Sequence, residues 1–113
     1  MMRLAVNDSV CIPHGKGSGH VIWTDCPEAL RQALDLNRGH AVQGEVIEAG
    51  RVVFSGALLL KRRLNRPWVP GVDCIVFLVP DVDLGRLAGE VWVEFDAITI
   101  RRWDEGSSAQ RDE

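Results

Sequence analysis

The apolar positions of this chain fall mostly in short runs bounded by glycine, proline, asparagine and aspartate. That is the pattern of β-strands separated by turns. Ser9 to Ile12 follows an Asn7-Asp8 turn signal and reads as a strand. His20 to Thr24 reads as a second strand. Pro13 to Gly19, with three glycines, forms a flexible loop between them, so the two strands make a hairpin. Val42 to Ala49 and Arg51 to Lys61 flank Gly50, and Glu48-Ala49-Gly50-Arg51 reads as a hairpin turn. Gly56 interrupts the second of these strands and suggests a bulge. Val72 to Val79 is strongly apolar and ends at Pro80. Glu90 to Phe95 alternates, with Val91, Val93 and Phe95 on one face and Trp92 and Glu94 on the other. Ile98 and Ile100 continue with the opposite parity, which requires a bulge or tight turn near Asp96-Ala97.

One stretch departs from the two-residue period. Asp25-Cys26-Pro27-Glu28 has the form of a capping box, with Pro27 suited to a first helical turn. Ala29, Leu30, Ala33 and Leu34 then form one apolar stripe, and Asn37-Arg38-Gly39 supplies a stop with Gly39 in the left-handed conformation. The pattern predicts a helix over about 26–37. Lys61 to Gly71 is the longest irregular segment, because two prolines and a glycine interrupt it. Asp81 to Gly89 accommodates a short helical turn. The polar stretch 104–113 reads as a disordered tail after a single globular domain over 1–103.

The expected fold is therefore α+β and β-rich. It is a strongly bent antiparallel sheet, or a small barrel, of six or seven strands with one main helix packed on it. Val52 to Leu60 and Ile75 to Val79 are apolar on both faces. One short helix covers one face of a sheet, so a second layer is needed, from the chain itself or from a second copy. Homo-oligomerisation follows as an expectation, a dimer being favoured.

Composition narrows the setting. The chain has 113 residues, of which 46% are hydrophobic, with four Trp, three Phe and no Tyr. The net charge of −3 argues against a dedicated nucleic-acid binder. The odd set of Cys11, Cys26 and Cys74 fits free thiols in a reducing cytosol better than a disulfide framework. No apolar stretch has the length of a signal peptide or a membrane span, so a cytoplasmic protein is expected.

Several groups of residues carry side-chain types capable of chemistry. Gly15, Gly17 and Gly19 around Lys16 are able to cradle an anion, but they lack the order of a phosphate-binding loop. Cys11, His14, His20 and Cys26 carry zinc-ligand types at spacings that do not form tight pairs, so no metal and no cofactor are expected. Cys26 at a helix N-terminus would gain thiolate character, but no nucleophile motif surrounds it. Ser18, a histidine and Asp25 do not meet the nucleophile-elbow pattern.

Two groups remain. A ligand site would draw on His14, Lys16, His20, Trp92 and Glu94, where an aromatic face beside carboxylates suits a small cationic or polar molecule and Lys16 an anionic one. An interaction site would draw on Arg62, Arg63, Arg66 and Trp68, echoed by Arg101-Arg102-Trp103. The functional expectation is a non-enzymatic binding or protein-interaction module that self-associates. The alternatives are a small-molecule-binding barrel or small enzyme with a Trp/carboxylate/His-lined pocket and, ranked below it, nucleic-acid binding through the basic loop.

Overall fold

A computed structural model of the chain describes residues 1–14, 17–66, 69–80 and 90–103. Seven strands run in chain order: β1 (Met2–His14), β2 (Gly17–Asp25), β3 (Gly39–Glu48), β4 (Arg51–Arg66), β5 (Val69–Val79), β6 (Val91–Phe95) and β7 (Arg101–Arg102). All pairings are antiparallel. The order β4-β5-β2-β1-β6-β3 closes on itself because β3 also pairs with β4, which makes a six-stranded barrel. The two-residue β7 adds to β3 below the end of β6. Closure removes the exposed edges that an open sheet of this size would present.

Alternation sets the barrel's inside. Ile22, Val42, Val46, Leu58, Leu60, Ile75, Phe77, Val79, Val93 and Phe95 all point inward and are 3% exposed or less. The Phe77 and Phe95 rings meet at 6.0 Å between centroids with planes tilted by 52°. The expected parity break after Phe95 is a 3₁₀ turn over Ala97–Thr99. The Asp96 side chain caps it by accepting from the Ile98 amide.

The expected helix over about 26–37 does not form. Among the described residues there is only a 3₁₀ turn at Glu28–Leu30, followed by irregular turns. The reason lies at both ends. Asp25 belongs to β2, opposite Cys74, and its carboxylate accepts from the Asn7 side chain, so it does not cap. Pro27 takes the cap position with no side-chain bond. Further on, the Arg62 guanidinium donates to the carbonyls of Arg31 and Leu34, which a helix would use for its own amides. Leu36 then bridges to Arg62, and the left-handed residue is Asn37 (φ 62°) rather than Gly39, which begins β3. The amphipathic pair Leu30 and Leu34 is still buried, at 2% and 1% exposure, so the segment joins the barrel core as an irregular cap.

Other expectations shift by register. The Asn7-Asp8 signal is a bulge inside β1, between Val6↔Thr24 and Asp8↔Trp23. The glycine-rich loop is mostly ladder, since Pro13↔Ser18 and His14↔Gly17 pair, and only 15–16 lie outside the described residues. The long irregular segment is instead a β4–β5 hairpin arm, paired out to Arg66↔Val69. Gly56 pairs in register with Gly44, and the bulge falls at Val53, between Val46↔Phe54 and Ile47↔Val52. The turn at Ala49 (φ 51°) and Gly50 (φ 80°) joins β3 to β4 as expected. The helical turn in 81–89 and the tail 104–113 fall outside the described residues.

Candidate interaction surface

Outward-facing residues follow from the same alternation, and the ladder registers arrange them in rows. Across β2, β5 and β4, one row is Val21, Leu78 and Leu59. The next is Trp23, Val76 and Lys61. The third is Asp25, Cys74 and Arg63, in which Cys74 is itself fully buried with its Sγ donating to the Asn65 carbonyl at 3.0 Å. Val21, Leu59, Lys61, Arg63, Val76 and Leu78 line an open groove of about 430 Å³ on this face, with the backbone of Leu60 and Phe77 beneath. The groove floor is aliphatic. Its rim on β4 carries two exposed cations, and neither Lys61 nor Arg63 has a side-chain hydrogen bond or ion pair among the described residues. The described strands form one sheet.

Arg62 and Arg63 are neighbours with opposite fates. Arg62 has the parity of the core and sits at the barrel mouth. Its Nε and Nη2 donate to the two Asp73 oxygens at 2.9 and 2.8 Å, and its Nη1 donates to the Arg31 carbonyl at 3.0 Å. Arg31 Nε reaches the same carboxylate at 3.0 Å. The hydrogen bonds from Arg62 hold the Asp73 carboxyl below the usual carboxylate range, against the opposing effect of burial. The same contact raises Arg62 above its ordinary value. The pair fastens the cap segment to the β4–β5 arm, so Arg62 is a structural clasp, whereas Arg63 faces solvent.

The Trp92–Glu94 pair faces outward, on the other side of the barrel. The Arg3 guanidinium carbon lies 4.4 Å from the centre of the Trp92 ring, and Arg3 Nε lies 3.5 Å from Glu94. Trp92 Nε1 donates to Glu90 at 3.4 Å. The cationic partner that this face attracts is thus already supplied by the chain. His20 is inside the barrel, 4% exposed, and shares no site with Trp92 or Glu94. Lys16 and Trp68, and the side chains of His14 and Arg66, lie outside the described residues.

The remaining candidates separate. Cys26 is buried, and burial, followed by the Asp73 charge, pushes its thiol up. With no helix behind it, the thiolate stabilisation expected at a helix N-terminus is absent. All three cysteines are free thiols, Cys11 exposed and Cys26 and Cys74 buried. Among the described residues, no group of three or more His, Cys, Asp or Glu is placed to hold a metal ion. No described helix is long and apolar enough to cross a membrane.

His40 is 2% exposed. Its Nδ1 donates to the Arg38 carbonyl at 2.9 Å and its Nε2 accepts from the Asp35 amide at 3.4 Å, so it braces the turn after the cap segment. Asp35 is in turn gripped by Arg102, at 3.0 Å from Nε and 2.8 Å from Nη2. Arg102 therefore belongs to the structural framework. The sequence signal for this was faint: Asp35 and Arg102 are remote in the chain and meet only because β7 lies beside β3.

Comparison of the chain with protein-family models, with curated proteins and with solved structures finds no match.

Proposed function

We propose that the protein is a non-enzymatic interaction module that self-associates through the outer face of β2, β5 and β4. One observation carries this reading: the aliphatic floor formed by Val21, Leu59, Val76 and Leu78, open to solvent and rimmed by Lys61 and Arg63. An apolar centre with a charged rim has the anatomy of a protein contact surface. The occupant is a second copy because the face is self-complementary in charge. Acidic Asp25 lies on the β2 side and basic Arg63 on the β4 side of the same row. A two-fold axis parallel to the strands brings these opposite edges together. The three free thiols accord with a reducing compartment such as the cytosol.

Size-exclusion chromatography with light scattering tests the reading. A dimer mass is expected at micromolar concentration, and a clean monomer overturns it. Leu78→Glu places a carboxylate at the centre of the groove. It is expected to weaken association by at least about 100-fold, since an unpaired charge there must be desolvated. The isolated barrel should keep its fold, because the Leu78 side chain lies outside the core.

A further inference from the structure

We infer a specific dimer architecture, resting on the self-association proposed above: the two-fold axis runs parallel to β5, and Arg63 of each copy meets Asp25 of the other. The argument begins with the rows. β5 is the middle strand of the face, with β2 on one side and β4 on the other. Neighbouring strands are about 4.8 Å apart, so Asp25 and Arg63 lie to either side of Cys74 at one strand's spacing each.

A two-fold axis parallel to β5 preserves position along the strand and exchanges its two sides. Every row therefore packs against its own copy in reverse. Leu59 meets the second copy's Val21, Lys61 meets its Trp23, and Arg63 meets its Asp25. Leu78 and Val76 lie near the axis and meet themselves. All three rows are chemically matched: aliphatic on aliphatic, ammonium on indole, and guanidinium on carboxylate. A two-fold across the strands instead reverses the row order, so that the Arg63 row meets the aliphatic row of the second copy and its charges are left unmatched.

Side-chain lengths fit the same geometry. Two convex barrel walls touch along a line and diverge to each side of it. Short side chains stand on the middle strand, at Val76 and Leu78, while the long ones, Lys61, Arg63 and Trp23, stand on the flanking strands where the gap opens. The groove lies over β5 between Val21 on β2 and Leu59, Lys61 and Arg63 on β4.

The test is a complementary pair of charge reversals read by association. Arg63→Glu alone sets like charge against Asp25 twice in a homodimer, and Asp25→Arg alone sets like charge against Arg63 twice. Each variant is expected to weaken its own dimer roughly 10-fold or more. Mixing the two restores both contacts in a heterodimer, expected within about 3-fold of the wild-type affinity. Native mass spectrometry distinguishes the heterodimer by mass, and thermal melts of each variant confirm a folded protomer.

Recovery on mixing requires residue 63 of one copy to face residue 25 of the other, which no effect within one protomer produces. If the wild type is a dimer but the reversals are silent, or mixing restores nothing, the architecture is overturned while self-association stands. If the wild type is a monomer, both fall.

Discussion

The two outer faces of the barrel carry similar residue types and reach opposite ends. On the β1–β6–β3 side, an aromatic ring and acidic groups stand close together, with Glu94 directly opposite Glu45 on β3 and opposite Arg3 on β1. That placement would be unfavourable for two carboxylates alone. Arg3 resolves it by covering Trp92 and approaching Glu94. On the β2–β5–β4 side, the same ingredients (Trp23, Asp25, Lys61 and Arg63) are spread around an aliphatic strip. The two strands carrying the charges are separated by β5, and the Asp25 carboxylate accepts from Asn7 on β1. A face that satisfies its own charges has no need of a partner. In the dimer proposed above, the opposite charges on either side of β5 would meet across the two-fold.

The largest effect is expected where β3 changes partner between the two sides. At Gly44 it pairs with Phe95 on β6 and Gly56 on β4. A Cβ added there would lie 2.5 Å from the Glu94 carbonyl oxygen and 2.7 Å from Phe95 Cβ. The first contact is with backbone, so no rotamer change relieves it. Gly44→Ala is expected to cost about 3 kcal/mol in chemical denaturation, the upper range for overpacking. Gly71→Ala provides the contrast. That position has φ 83° with open space around it. Only the backbone conformation is penalised, so a loss of about 1 kcal/mol is expected. Equal losses would show that the β3–β6 approach is not the constraint on closure.

Next in size is the clasp beneath the apolar face. Asp73 is 14% exposed and accepts from Arg62, with Arg31 beside it. Its folded value is depressed. The clasp's contribution is therefore fully present above the unfolded carboxylate range, near pH ~4, and is lost as pH falls through the lower folded value. Asp73→Asn removes the charge and leaves two guanidiniums facing each other. We expect a loss of about 2 kcal/mol at pH 7, roughly 10 °C in melting temperature. The gap between wild type and variant should narrow as pH is lowered below ~4. A gap that stays constant down to pH ~2 would mean that the ion pair does not stabilise the cap segment.

Much of this fold was legible in the sequence, and the misses share a physical cause. The turn at Ala49-Gly50 and the alternation of Val91, Val93 and Phe95 were readable because each is decided by residues adjacent in the chain. The cap segment was not. Asp25, Pro27 and Leu30 make a locally sound helix start, but Asp25 is drawn into the ladder with Cys74 and the carbonyls of Arg31 and Leu34 are taken by Arg62. Those competitors come from strands far along the chain. The β4–β5 arm was hidden for the complementary reason. Pro70 and Gly71 argue locally against a strand, yet the ladder accommodates them at a register shift between Arg63 and Asn65. The apolar outer face was visible as two-sided strands, and among the described residues there is no α-helix to cover it. The separation of Arg62 from Arg63 needed only parity, because adjacent residues in a strand point to opposite faces.

The smallest effect is expected on the self-satisfied face, and its smallness is what sharpens the contrast. The Arg3 side chain is 52% exposed and that of Glu94 is 30% exposed, so their contact at 3.5 Å is screened by water. Stacking on Trp92 adds a cation–π contact at the surface, worth under about 1 kcal/mol. Arg3→Ala is therefore expected to lower stability by no more than about 1 kcal/mol and to leave the mass in solution unchanged. It also uncovers Trp92, so the indole fluorescence should become more accessible to a soluble quencher. If Arg3→Ala instead changed the association state as strongly as Leu78→Glu, the two faces would not differ in the way described, and the interface would have to extend around the barrel through β1. Silent mass with increased quenching keeps Arg3 as an internal partner, and leaves the β2–β5–β4 face as the surface through which this barrel meets another.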